Sequence, residues 1–148
     1  MLIKDYREMI ELLGAHGVEF AVVGAYAMSV FGYTRATGDL DLFVKPDSGN
    51  AKKLLSALKA FGAPLQGVNA DDFSTAGTVF QIGVAPVRID ILTSIDGVAF
   101  DEISLERRDI GGIEAPVIDL DSLLRNKRST GRLRDLADCE ELEKRRPQ

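Results

Sequence analysis

Residues 39–45 read Asp-Leu-Asp-Leu-Phe-Val-Lys and are bounded by Gly38 and Pro46. The acid–apolar alternation at its start predicts a strand, in which successive side chains leave on opposite faces. Leu40, Leu42 and Val44 then share one face, and Asp39, Asp41 and Phe43 share the other. A strand that is apolar on one side needs a second layer to cover it. The flanking patterns supply that layer. Leu2, Ile3, Tyr6, Ile10 and Leu13 recur at helical spacing, and Gly14 and Gly17 stop that helix near Ala15. Val18–Val23 reads as a buried strand closed by Gly24, and Ala25–Phe31 as a helix stopped by Gly32. Asp47 and Ser48 cap a helix over 49–61 with Leu54, Leu55, Leu58 and Phe61 inward.

Further along, Thr78–Val84 and Val87–Leu92 read as strands joined by a tight Ala85-Pro86 connection. Residues 98–114, with Ile103, Leu105 and Ile110, predict an edge strand or a hairpin. Asp119 or Asp121 caps a helix to about Arg128. After Gly131, Leu133, Leu136, Cys139 and Leu142 mark the inner face of a last helix to about Lys144. Strands and helices interleave without a repeat or a linker. The expected fold is α+β: an α/β sandwich with a small mixed sheet and helices packed on it. It forms one domain over residues 1–148, with C-terminal helices at about 119–145.

A chain of 148 residues, 45% hydrophobic and 28% charged, has enough apolar surface for one stable core. A single cysteine, Cys139, rules out an internal disulfide and a thiolate zinc site, and one histidine, His16, argues against a His-rich metal site or a Ser/His hydrolase. Eighteen basic against twenty-three acidic residues give a net charge of −5, without the basic footprint of a protein that grips long DNA. The uncharged run Phe20–Tyr33 falls short of the roughly 20 residues that span a bilayer. Residues 1–11 carry early acids and no apolar h-region, so neither a membrane span nor a signal peptide is expected, and the expected location is cytoplasmic.

What chemistry remains belongs to carboxylates, hydroxyls and backbone amides. Asp39 and Asp41 sit on one strand face about 6–7 Å apart, and two unpaired carboxylates that close repel each other. In Val87-Arg88-Ile89-Asp90-Ile91-Leu92 a third acid lies mid-strand between isoleucines. If the two strands are neighbours, three carboxylates converge. Such a set suits Mg²⁺ or Mn²⁺, hard cations that keep positions open for a phosphate. Read as structure alone, Asp39 instead caps the turn after Gly38, or the pair forms an ordinary solvated face. Val22-Val23-Gly24-Ala25 adds a strand–glycine–helix junction, where backbone N–H groups can meet a phosphate.

Together these residues resemble the polymerase-β-like nucleotidyltransferase superfamily, in particular its minimal members. The pattern there is a strand ending in Gly-Gly or Gly-Ser, an Asp-x-Asp strand and a later third acid, here Gly24-Ala25, Asp39-Leu40-Asp41 and Asp90. Tyr33-Thr34-Arg35-Ala36-Thr37-Gly38-Asp39-Leu40-Asp41 and Lys127 through Asp138 resemble segments of abortive-infection toxin-type nucleotidyltransferases. The resemblance implies transfer of a nucleoside monophosphate from an NTP to a hydroxyl acceptor, which is a small molecule, a protein or an RNA end. It implies Asp39, Asp41 and Asp90 as metal ligands and catalytic residues, with Asp90 taking the acceptor's proton. It implies Gly24, Ala25, Arg35, Thr37 and Lys127 as nucleotide contacts. A toxin–antitoxin role would bring an antitoxin or a homodimer partner. Ala25 departs from the pattern by lacking a hydroxyl, and favours the competing reading, an inactive nucleotide-binding or interaction module on the same fold.

The remaining candidates have plainer readings. Arg35 and Lys127 either neutralise triphosphate charge or sit solvated. Arg88 either pairs with Asp90 or meets substrate. Asp135 and Asp138, three apart near Arg132 and Arg134, read as a salt-bridged helix face. His16 reads as a helix cap and Cys139 as core.

Overall fold

The computed structural model of the chain describes residues 2–147; Met1 and Gln148, which fall within the expected domain span, lie outside the described residues. The elements run α1 (Lys4–Ala15), β1 (Phe20–Val23), α2 (Gly24–Val30), β2 (Asp39–Val44), α3 (Ser48–Phe61), β3 (Val79–Ile82), β4 (Arg88–Leu92), β5 (Glu106–Ile110), β6 (Ile113–Val117), α4 (Leu120–Thr130) and α5 (Leu133–Lys144). Short 3₁₀ turns at Ala70–Phe73 and Phe100–Glu102 punctuate the loops. The six strands form one mixed sheet in the order β3-β4-β2-β1-β6-β5, so the α+β expectation holds. Among the described residues, no helix is long and apolar enough to cross a membrane.

Burial explains the order. All four residues of β1 are buried, as the apolar run Phe-Ala-Val-Val requires, and β1 lies inside the sheet between β2 and β6. β2 runs antiparallel to β1 and parallel to β4, with Leu40 opposite Ile89 and Leu42 opposite Ile91. These four side chains are almost wholly buried and form the centre of the core. Fully burying a side chain of this kind contributes roughly 1.5–3 kcal/mol. On the other face Asp39 stands opposite Arg88 and Asp41 opposite Asp90. That polar face is closed further along β2 by Phe43, which meets Phe100 edge-on at 5.3 Å between ring centres. α1 packs against α3, and α2 covers β1, β2 and β5.

Asp47 caps α3 as expected: its carboxylate accepts from the Asn50 amide at 2.7 Å. Asn50 itself is buried and stitches three segments together. Its Oδ1 accepts from Glu19 N at 2.7 Å, and its Nδ2 donates to Glu19 O and Lys45 O at 3.0 and 2.9 Å. The helix after β6 takes Asp119, not Asp121, as its cap. His16 is the last cap of α1, its Nδ1 2.9 Å from Leu12 O, and Cys139 is buried.

Two expectations need correction. The 98–114 region is a hairpin, but its second strand extends to Val117 and is internal, pairing with β1. Pro116 lies within β6 opposite Arg107, and the pairing with β1 is at the next residue, Val117. The inner face of α5 is also rotated. Cys139 and Leu142 are buried, but Leu133 is 85% exposed and Leu136 is exposed too. Their places are taken by Asp135 and Asp138, which are buried.

Candidate active site

The register of β2 against β4 builds the centre of the site. Asp41 and Asp90 are direct cross-strand partners, and Asp39 is two residues away on the same face. One carboxylate oxygen from each of the three lies within 4.8 Å of the others. The condition posed by the sequence, that the two acidic strands be neighbours, is therefore met.

Arg88 occupies the same face. Its Nη2 donates to Asp39 Oδ2 at 2.8 Å and to Asp90 Oδ2 at 3.1 Å, and its Nε donates to Asp90 Oδ1 at 3.0 Å. Thr37 Oγ1 donates to the other Asp39 oxygen at 2.8 Å. One guanidinium cannot balance three carboxylates. Burial, followed by the charges of Asp39 and Asp90, pushes the Asp41 carboxyl up to about 7. The excess charge is felt further out. Burial first, then Tyr26 and Asp39, push the Tyr6 hydroxyl up to about 12, and burial with Asp39 raises Tyr26. A cluster of hard oxygen donors that is short of positive charge suits a divalent cation such as Mg²⁺ or Mn²⁺.

Gly24 explains why the Gly junction lies here. Val23, the last residue of β1, is paired with Asp41, so the chain must turn directly over that carboxylate. Gly24 has φ +70°, and a Cβ placed on it would overlap Asp41 Oδ2. Only glycine satisfies both conditions.

A second polar cluster forms the opposite wall. Lys127 of α4 is buried and donates to Asp135 Oδ1 at 3.3 Å and Asp138 Oδ2 at 3.0 Å. Asp138 also accepts from Arg35 at 2.7 Å, and Asp135 accepts from Arg132 at 2.6 Å and Thr130 at 2.7 Å. Burial alone would raise the Asp135 carboxyl. The hydrogen bonds from Thr130 and Arg132 and the Lys127 charge overcome it and take Asp135 down to about 2. The salt-bridged helix face expected for Asp135 and Asp138 is present in the Arg132–Asp135 pair, but it is buried and joined to Lys127 and Arg35, and the solvated reading of Lys127 does not hold.

Between the walls lies a cleft of about 570 Å³. Asp39, Asp41, Asp90, Gly24, Ala25, Arg35, Thr37 and Lys127 all border it, so every site residue read from the sequence reaches one cavity. The cations are not equivalent. Lys127 and Arg35 enter with their charges already matched by Asp135 and Asp138, whereas Arg134 borders the cleft with no ion pair among the described residues. The sequence reading passed over Arg134 and Arg132 as cleft residues, and over the Arg88–Asp39 contact. Their only sequence signal was proximity to acids; which wall they face depends on strand register and helix rotation.

The family model described as "Nucleotidyl transferase of unknown function (DUF2204)" matches residues 2–146. No curated protein matches the chain. Among solved structures, TM1012 of Thermotoga maritima, which carries a provisional nucleotidyltransferase assignment, superposes with a TM-score of 0.60 at 15% identity, covering 99% of this chain and 97% of that one. The lincosamide antibiotic adenylyltransferase LnuA, solved with lincomycin bound, gives a TM-score of 0.62 at 13% identity, with 99% of both chains covered. At these identities the likeness is one of fold.

Proposed function

Since the chain belongs to this nucleotidyl transferase family, we propose that it moves a nucleoside monophosphate from an NTP to a hydroxyl acceptor, with Mg²⁺ or Mn²⁺ held by Asp39, Asp41 and Asp90. The observation that carries this reading is the convergence of those three carboxylates, from two strands, at the floor of a cleft walled by cationic side chains. A divalent ion at such a site neutralises phosphate charge and lowers the pKa of a bound hydroxyl.

The chain's own groups divide the remaining work. Asp90, buried at the cleft floor, accepts the acceptor's proton as its oxygen bonds to the α-phosphorus and the α–β bridging bond breaks, releasing pyrophosphate. Gly24 and Ala25 offer backbone N–H groups to the triphosphate. Thr37 holds Asp39 in place. Arg134 screens the triphosphate, and Arg35, Lys127 and Arg132, each already paired with Asp135 or Asp138, hold the wall they stand on. Residues 1–148 act as one domain, with α4 and α5 as that wall. LnuA, a lincosamide antibiotic adenylyltransferase, supports a small molecule as acceptor, and the abortive-infection resemblance supports a toxin role with an antitoxin or second copy as partner. The inactive-module reading is favoured by Ala25, which lacks the hydroxyl that would add one neutral hydrogen bond, about 1 kcal/mol.

The test is incubation with each α-labelled NTP, Mg²⁺ and a panel of hydroxylated acceptors. Label transfer is expected. Asp41→Asn should reduce it by more than the roughly 10- to 100-fold that losing an outer-shell partner costs. Absence of label transfer and of any NTP-dependent thermal shift sinks the proposal in favour of the inert module.

A further inference from the structure

Resting on the metal site just proposed, we infer that Arg88 is a built-in counter-ion of that site, one that competes with the divalent cation for Asp39 and Asp90 and yields when the cation enters. The sheet puts Arg88 there. It lies two residues before Asp90 on the same face of β4 and directly opposite Asp39. Its guanidinium grips both oxygens of Asp90 and one oxygen of Asp39, and Thr37 takes the other. All four oxygens of these two acids therefore already accept a hydrogen bond. Asp41 receives none from Arg88.

A carboxylate oxygen can accept a hydrogen bond and still ligate a metal. A guanidinium bound to the same carboxylates would nonetheless face a dication at close range, where like charges repel strongly in a partly buried site. Arg88 has somewhere to go. Its side chain is one-third exposed, and it borders a hollow of about 270 Å³ that adjoins the cleft, shares Thr37, Asp39 and Arg134 with it and extends to Ala85. The planar fork that makes the grip is specific to arginine; a lysine offers a point charge on a flexible stem. The consequence is order. Without nucleotide the site holds its own cation and loads metal poorly. The negative charge of a triphosphate offsets the repulsion, so metal and NTP enter together.

The experiment measures Mn²⁺ binding to the nucleotide-free protein by the paramagnetic signal of the free ion, for wild type, Arg88→Gln and Arg88→Lys, alongside metal-free melting temperatures. Arg88→Gln should bind Mn²⁺ about tenfold more tightly than wild type and melt lower without metal. Arg88→Lys should fall between, about threefold tighter. If Arg88→Gln fails to fold, Arg88→Lys carries the test alone. Affinity equal to or weaker than wild type in the folded variants overturns the inference and makes Arg88 a plain buttress. If wild type binds Mn²⁺ with NTP but the variants match it, only this inference falls. Absence of Mn²⁺ binding in every protein, with or without NTP, overturns the metal site as well.

Discussion

Gly24 is the residue on which the site's geometry turns most sharply. Its positive φ is accessible to other L-residues only at a cost of about 1–2 kcal/mol, and the space a methyl would need is filled by the Asp41 carboxylate. Gly24→Ala should therefore lower stability by at least that amount in urea denaturation. It should also weaken Mn²⁺ binding, because Asp41 must move to relieve the overlap. A variant as stable as wild type, with unchanged Mn²⁺ affinity, would show that the turn relaxes freely. The sequence exposed this position as a glycine closing a strand. That the glycine serves an aspartate seventeen positions away, through the β1–β2 ladder, is information only the pairing supplies.

At the scale of elements, Asn50 does for α3 what no apolar contact can. It satisfies the backbone of Glu19 in both directions and the carbonyl of Lys45, so the first turn of α3 is tied to the entry of β1 and the exit of β2. Asn50→Ala leaves the Glu19 N–H without a partner, while Glu19 O and Lys45 O keep the N–H groups of Lys45 and Asp47; the orphaned donor should cost about 1–3 kcal/mol. The check is a shift in the urea midpoint with an unchanged slope. α1, β1, β2 and α3 were legible in the sequence because period and caps are local properties. Asn50 was not. It lies in a stretch read only for its apolar residues, and its partner Glu19 is 31 residues away in sequence.

Across the whole molecule, the cleft depends on α5 meeting α4 through charge. The depressed Asp135 carboxyl makes this contact sensitive to acid. A group whose folded pKa lies below its unfolded value stabilises the protein above the unfolded value, and loses that contribution as pH falls through the folded one. For Asp135 the window runs from the ordinary 3.8 down to about 2, and the difference is worth about 2 kcal/mol. Wild type should therefore lose stability steeply across that window. Asp135→Asn should be less stable at neutral pH and show a shallower acid decline; an unchanged acid profile would refute the network's role. The same network explains the misread face of α5. Leu133 and Leu136 suggested an apolar seam, but Lys127, a buried cation, cannot be left uncompensated. The helix turned to give it two carboxylates, and the leucines went to solvent. A hydrophobic stripe is readable from one segment, whereas the partner of a buried charge is readable only once both segments are placed. The three carboxylates were the reverse case. Their residue types and their position mid-strand were plain, and only the adjacency of β2 and β4 had to come from the fold.

That adjacency constrains assembly as well as chemistry. β2 and β4 lie side by side as two combs whose teeth match, Leu40 with Ile89, Leu42 with Ile91 and acid with acid. If both were threaded one position out of step with the rest of the sheet, carboxylates would point into hydrocarbon and isoleucines into water. The acids thus act as a proofreading mark: a chain that has joined these strands in the wrong frame cannot close its interior around them.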